Sequence, residues 1–335
     1  MQCQWKDKVL SVTEPEFDKL ALDLFMFQYR NNDVYKQYVD ALGVEPLAVR
    51  KITQIPFLPI RFFKSHRIHS TEFEPATIFE SSGTTGNINS RHFIKDTDLY
   101  KESVTRGFEL FYGPLNNWCI IGLLPSYLER KNSSLVFMVN EFIRLSGHQK
   151  SGFYLDEYQN LLSLLYDLEK QKQKTLLIGV TFGLLDLASI YKKQGPLHNT
   201  AIMETGGMKG RRPEMVRQEV HAILKKSFGV PVIHSEYGMT ELLSQAYSDG
   251  EGIFKCPPWM KILLRDDEDP LAIRMPYFQS MTHVSGAINI IDLANVYSCC
   301  FIATDDAGKV FPDGRFEVLG RMDNSDLRGC SLMVV

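Results

Sequence analysis

The segment ATIFESSGTTGNINSRHFIKD, residues 76–96, sets Ser81, Ser82, Gly83, Thr84, Thr85 and Gly86 between two runs that read as β-strands. Hydroxyls and glycines at that density suit an oxyanion. Glycine lets successive N–H groups turn into one concavity, and Ser and Thr add hydroxyl donors. A polyphosphate is the ligand such a nest would take. Composition alone also reads the stretch as a polar surface hairpin, where these residues are common. It is not a GxxxxGK[ST] phosphate loop, because that ending is missing and no helix follows directly; no GxGxxG is present either.

Two further stretches offer groups of the same kind. In HSEYGMTELLSQ, residues 234–245, Tyr237 offers a flat ring for a base and Gly238 permits close approach. Thr240 offers a hydroxyl there, and Glu241 a carboxylate for a hard cation such as Mg²⁺. In METGGMKG, residues 203–210, Gly206 and Gly207 leave room beside a planar ring. Both stretches follow runs read as strands, TAIME and VPVIH, and α/β sheets bind ligands at the carboxyl ends of their strands. Each has a plainer reading: Tyr237 as core, Glu241 as a charge at a helix N-terminus, Gly206–Gly207 as a turn. His234 reads either as a group lining the site or as a satisfied structural residue.

Alternating elements must position these groups. The first 60 or so residues read as mostly helical, ending in the loop IPFLPIRFF. Beyond the opening hairpin, short apolar strands (WCIIGLL, KTLLIGV, TAIME, VPVIH) alternate with amphipathic helices (SSLVFMVNEFIRLSG, YQNLLSLLYDLEKQ, PEMVRQEVHAILKKSFG). That pattern predicts a parallel α/β sheet covered on both faces. From about residue 253 strand follows strand, in WMKILLRD, GAINIIDL, SCCFIATDD and RFEVLG. The expected division is a helical start and α/β core over 1–252, a β-rich lobe of the same domain over 253–323, and a tail over 324–335 that carries Cys330.

Composition excludes several classes. The 335 residues carry a net charge of -3 with no long basic run, so nucleic acid is not an expected partner. No apolar run approaches the ~20 residues of a membrane span. The six cysteines form no CxxC pair, which fits free thiols in a reducing cytoplasm. No His/Cys/Asp cluster has zinc-ligand spacing, and no GxSxG nucleophile elbow appears.

Taken in order, SSGTTG, GG, YGMTE and TDDAGKVFPDGRFEVLGRMD resemble the core motifs of the adenylate-forming acyl-activating enzymes. In that superfamily an Asp precedes the Gly of Gly-Arg-x-Asp by fourteen residues; here Asp306 precedes Gly320, in Gly320-Arg321-Met322-Asp323, by the same count. The resemblance implies the large N-terminal-type domain of those enzymes, with ATP and Mg²⁺. It implies that Asp306 holds the ribose hydroxyls, that Arg321 contacts the ribose, and that Tyr237 and Gly206–Gly207 face the adenine. It further implies that Thr240 and residues Ser81 to Gly86 meet phosphates, and that Glu241 binds Mg²⁺. Two features depart from the pattern. The usual Lys after the loop is replaced by a tail running to Arg91, and the chain ends twelve residues past Asp323, so the usual small C-terminal domain with its catalytic Lys is expected to be absent.

A branch lacking that domain is the acyl-protein synthetase family of bacterial fatty acid reductase complexes. The chain is similar to it in length, in CPPWMKILLRD and in a Cys near the C-terminus. This resemblance implies activation of a fatty or other carboxylic acid as acyl-AMP, then transfer to a cysteine thiol and delivery to an acyl-accepting reductase or carrier protein. His234 and Thr240 are the accompanying catalytic candidates. The residues leave two other readings open: a ligase whose acceptor is CoA or a carrier protein, and a non-catalytic nucleotide-binding subunit.

Cys330 has a physical case of its own. It lies nine residues beyond Arg321, a tether of about 30 Å when extended and roughly 17 Å on average when flexible. A thiol so tethered has an effective concentration on the order of millimolar. Thiolate is the competent nucleophile, and neighbouring Arg328 would favour it. An inert tail cysteine is the plainer reading. Cys299 and Cys300, in an apolar run, read as core.

Overall fold

A computed structural model describes residues 3–81, 88–124, 132–154, 158–191, 195–206, 215–266, 269–274 and 282–322. Contacts sort the chain into two units, one of Met1–Phe73 with Pro258–Val335, the other of Glu74–Pro257. The first unit opens with helices α1 (Cys3–Leu10), α2 (Glu14–Asn31) and α3 (Asp33–Ala41). In α2 the buried positions Phe17, Ala21, Leu24, Phe25 and Gln28 recur every three or four residues, the spacing of one helical face. The expected loop that follows contains a short strand β1 (Leu58–Pro59) and helix α4 (Phe62–Ser65).

The second unit carries the α/β pattern. A hairpin of β2 (Thr77–Glu80) and β3 (Arg91–Ile94) is followed by α5 (Thr97–Tyr112), β4 (Cys119–Leu123), α6 (Ser134–Ser146) and β5 (Gly152–Phe153). Then come α7 (Tyr158–Lys170), β6 (Thr175–Val180), α8 (Thr181–Ile190), β7 (Thr200–Thr205) and α9 (Arg217–Phe228). Strands β8 (His234–Tyr237), β9 (Ala246–Ser248) and β10 (Ile253–Phe254) complete it. The sheet order is β5-β4-β6-β7-β8-β9, parallel except for the antiparallel β9 at the edge. Strands β4 and β6 are buried at every position, as continuous apolar runs in a covered parallel sheet must be. Leu165 of α7, Leu224 and Phe228 of α9, and Ile121, Leu177 and Ile202 of the strands share one core.

One strand sits later than its sequence suggested. The run VPVIH contributes only its last residue, and β8 runs from His234 to Tyr237. Pro231 has no N–H for a ladder, and the parallel register with β7 starts at Met203 opposite His234. The shift moves Glu236 out of the expected loop and into the sheet, opposite Thr205.

The first unit resumes with β11 (Met260–Arg265), β12 (Ile273–Arg274), β13 (Val284–Asp292), β14 (Phe301–Val310) and β15 (Phe316–Arg321). Strands β12, β11, β13, β14 and β15 pair antiparallel in that order, and β1 lies parallel on β14. Buried Gln28 ties α2 to this sheet: its Nε2 donates to the Asn295 and Val296 carbonyls at 2.9 and 3.0 Å, and the Cys300 N–H donates to its Oε1 at 2.9 Å. Cys299 and Cys300 are fully buried, as expected, and burial pushes the Cys299 thiol up to about 12. Among the described residues no helix is long and apolar enough to cross a membrane.

Candidate active site

Residues from the ends of β2, β7 and β8 and from the start of α6 line a half-open cavity of about 120 Å³ in the second unit. Its walls include Thr205, Gly206, Glu236, Gly238, Thr240 and Gln245. The parallel strands β7 and β8 both deliver their carboxyl ends here, as α/β sheets do at ligand sites. Three of the expected site residues, Gly206, Gly238 and Thr240, therefore meet in one cavity.

Local geometry explains why those types stand there. Gly206 ends β7 with φ of 69°, a left-handed conformation that favours glycine. The Thr181 hydroxyl, at the start of α8, donates to the Gly206 carbonyl at 2.5 Å and fixes the turn. Gly238 leaves room for its neighbours: a Cβ there would overlap Glu236 Oε1, so that carboxyl would have to shift, and would approach Gln245 Cγ to 3.1 Å. The turn at Thr240 is held from the hairpin, where His92 Nδ1 lies 2.9 Å from the Thr240 carbonyl oxygen. Burial lowers His92 to about 4, against the opposing pull of that bond, so the ring is neutral near pH 7.

Glu236 is the residue that sequence reasoning missed. It is 8% exposed and accepts a short hydrogen bond from the Thr205 hydroxyl. Burial pushes its carboxyl up to about 7; the Thr205 bond opposes that rise and the charge of Glu204 adds to it. Glu204 itself behaves oppositely. Burial would raise it, but His221, Arg217 and Ser235 together hold it below the usual carboxylate range. Arg217 Nε stands 3.4 Å and His221 Nε2 3.6 Å from Glu204 Oε1. Ser235, His221 and Glu204 are not a nucleophilic triad, because Ser235 Oγ and Glu204 both meet the same Nε2. The available signal for Glu236 was a carboxylate two residues from a glycine, and the misplaced strand boundary hid it.

The remaining expected residues are placed as follows. Tyr237 closes β8 at 9% exposure, its ring 5.9 Å from that of Phe254. Glu241 is 5% exposed, and the turn in which it lies is not followed by a helix. His234 opens β8, at the opposite end of the strand from the cavity, with Nδ1 3.3 Å from the Tyr112 hydroxyl. Burial lowers its pKa, with Asp249 opposing. Ser81 receives the Ser90 N–H on its hydroxyl at 2.9 Å, closing the hairpin neck. Asp306 and Arg321 belong to the first unit, on β14 and β15. Ser82, Gly83, Thr84, Thr85, Gly86, Gly207 and Cys330 lie outside the described residues.

Among the described residues no group of three or more His, Cys, Asp or Glu is arranged to hold a metal. Mg²⁺ does not require one, since it commonly takes one or two carboxylates plus substrate phosphates. The expected ligand Glu241 is a single buried carboxylate next in sequence to Thr240, and it is not among the described residues lining the cavity.

The chain shares its fold with a solved acyl-CoA ligase. It superposes on 2-hydroxyisobutyryl-CoA ligase, solved in the postadenylation state, with a TM-score of 0.62 at 12% identity, covering 95% of this chain and 70% of that one. Its sequence matches the family acyl-protein synthetase, LuxE, over residues 10–335, and the chain belongs to that family. It is similar to the long-chain-fatty-acid–luciferin-component ligase of Vibrio harveyi, 24% identical over 94% of this chain and 86% of the relative. The ligase of the same name from Aliivibrio fischeri is 22% identical over the same shares.

Proposed function

We propose that this chain activates a carboxylic acid with ATP and passes the acyl group to a protein thiol, Cys330. The observation that carries the reading is the convergence of Gly206, Gly238 and Thr240 on one cavity at the carboxyl ends of β7 and β8. The names of the family and of its curated relatives support an acyl acid as substrate.

In the first step a carboxylate oxygen attacks the α-phosphorus of ATP. The O–Pα bond forms, the bond from Pα to the bridging oxygen breaks, and pyrophosphate leaves. The Thr240 hydroxyl and the loop from Ser81 to Gly86 hold phosphate oxygens, with Glu241 as the Mg²⁺ ligand; bound Mg²⁺ offsets the phosphate charge. Tyr237 and the turn at Gly206–Gly207 face the adenine, while Asp306 accepts from the ribose hydroxyls beside Arg321. In the second step the Cys330 thiolate attacks the acyl carbonyl carbon, the C–S bond forms and AMP leaves. The thioester then serves an acyl-accepting reductase or carrier protein, in the reducing cytoplasm that free thiols require.

Intact-mass measurement after incubation with ATP, Mg²⁺ and a panel of carboxylic acids tests the whole sequence. An added acyl mass that hydroxylamine removes is the expected result. ATP–pyrophosphate exchange without any protein-bound acyl would move the acceptor to CoA or a carrier. Absence of both would leave a nucleotide-binding subunit.

A further inference from the structure

The turn at Gly206 has no side chain with which to hold itself. A left-handed glycine is backbone alone, and its surroundings must fix its conformation. Those surroundings begin two residues upstream. Glu204 and Ser235 stand opposite each other on β7 and β8, and Gly206 and Tyr237 follow them by two residues each. With a strand period of two, Tyr237 shares the sheet face of Glu204 and Ser235. Thr205 and Glu236 turn to the other face, where they bond each other.

Glu204 gathers that first face. Its Oε1 is met by Arg217 Nε at 3.4 Å, from the start of α9. Its Oε2 lies 3.2 Å from the Thr181 hydroxyl, which donates to the Gly206 carbonyl at 2.5 Å. The Arg217 guanidinium also lies over the Phe254 ring, 5.1 Å from its centroid, and that ring is 5.9 Å from the ring of Tyr237. One ion pair thus reaches Gly206 through Thr181 and Tyr237 through Phe254. Glu204 is 7% exposed, and apolar side chains of similar volume often serve stability as well as a buried ion pair does. Tethering α9 to β7 would not by itself call for a charge. We propose that Glu204 and Arg217 are positioning residues for the nucleotide, setting the Gly206 turn and the Tyr237 ring against the adenine. Neither is among the described residues lining the cavity, so both act through others. The inference rests on the reading above that Gly206 and Tyr237 face the base.

The test uses the full chain and reads three quantities: Kd for ATP with Mg²⁺ by calorimetric titration, kcat for pyrophosphate exchange at saturating ATP, and melting temperature. Arg217→Met and Glu204→Gln should each weaken ATP binding at least about tenfold while kcat stays within about threefold. That split marks lost binding rather than lost chemistry. The double variant should bind no more than about twofold worse than the weaker single one, because residues acting as one pair are not additive. Thr181→Val should weaken ATP binding at least about fivefold, and Thr181→Ser, which keeps the hydroxyl, should restore it. If Glu204→Gln does not fold, Arg217→Met decides, since the Arg217 side chain is 29% exposed. A lower melting temperature with ATP affinity unchanged in Arg217→Met makes the pair a structural tether only. That result overturns the inference and leaves acid activation standing, as does a parallel fall of affinity and kcat. A parent chain that binds no ATP overturns the nucleotide reading and this inference with it.

Discussion

Asp306 and Arg321 stand directly opposite each other on β14 and β15, with Arg321 Nε 3.9 Å from Asp306 Oδ1. A bulge sets that pairing. Near the turn the register runs Val310 to Phe316 through Gly308 to Val318, then shifts by one so that Ala307 meets Gly320. Leu319 is the extra residue. Were Leu319 paired in the regular register instead, Arg321 would face Asp305, whose carboxylate is already met by Arg61 Nε at 3.1 Å. The fourteen-residue spacing read in the sequence is thus the length of a bulged hairpin.

Asp306→Ala should therefore weaken ATP binding at least about tenfold while changing stability by less than about 1 kcal/mol. Arg321 is 83% exposed, and an ion pair with so exposed a partner contributes little to folding. Calorimetric titration with ATP checks the loss. An Asp306→Ala chain that binds ATP like the parent would return the ribose role to Asp305.

Glu236 gives a pH signature. Its folded pKa, about 7, lies above the usual 4.5. The folded chain therefore holds this proton more tightly than the unfolded chain, and the associated stability is present below about pH 4.5 and lost as pH rises toward 7. Glu236→Gln keeps an acceptor for Thr205 and cannot ionise. Relative to the parent it should gain on the order of 1–3 kcal/mol at pH 8, shrinking to near zero by pH 5. Urea unfolding at three pH values measures the difference. A gain that does not vary with pH would show that Glu236 is not the titrating group.

What the sequence disclosed follows from how local each signal is. Continuous apolar runs in β4 and β6, and the helical spacing in α2 and α7, are properties of ten or twenty residues, and they read correctly. The motif glycines were legible because the left-handed turn at Gly206 favours glycine and a side chain at Gly238 would have to displace Glu236. Glu236 was not legible. Its burial depends on register with β7, and a strand boundary misplaced by four residues turned an inward carboxyl into a loop residue. The pairing of β1 with β14 was hidden for a related reason: Leu58 and Ile302 are partners 244 residues apart, and a two-residue strand has no periodicity to read.

Gly238→Ala tests the close packing directly. The new methyl must displace Glu236 Oε1, whose carboxyl is tied to Thr205, or push Gln245 aside. Overpacking of this kind costs roughly 1–3 kcal/mol. Pyrophosphate exchange should fall at least about tenfold. Equal stability and exchange in the variant would mean that the cavity walls yield freely.

The furthest-reaching prediction concerns Cys330. Cys330→Ser should still form acyl-AMP, seen as pyrophosphate exchange, but carry no hydroxylamine-sensitive acyl group. Adenylation needs only the pocket, whereas transfer needs a nucleophile with an anionic fraction near neutral pH. A thiol of ordinary pKa, about 8.5, supplies a few per cent thiolate; a serine hydroxyl supplies essentially none. The buried cysteines compete poorly. Burial raises Cys119 to about 11 and Cys299 to about 12, and pushes Cys300 up as well, so none of these three offers an accessible thiolate. Cys256 is the part-exposed alternative, which makes Cys256→Ser the matched control. Truncation after Arg328 should behave like Cys330→Ser. A truncated chain that still accumulates the thioester would transfer the role to Cys256 or Cys3, and loss of the thioester in Cys256→Ser would assign it to Cys256.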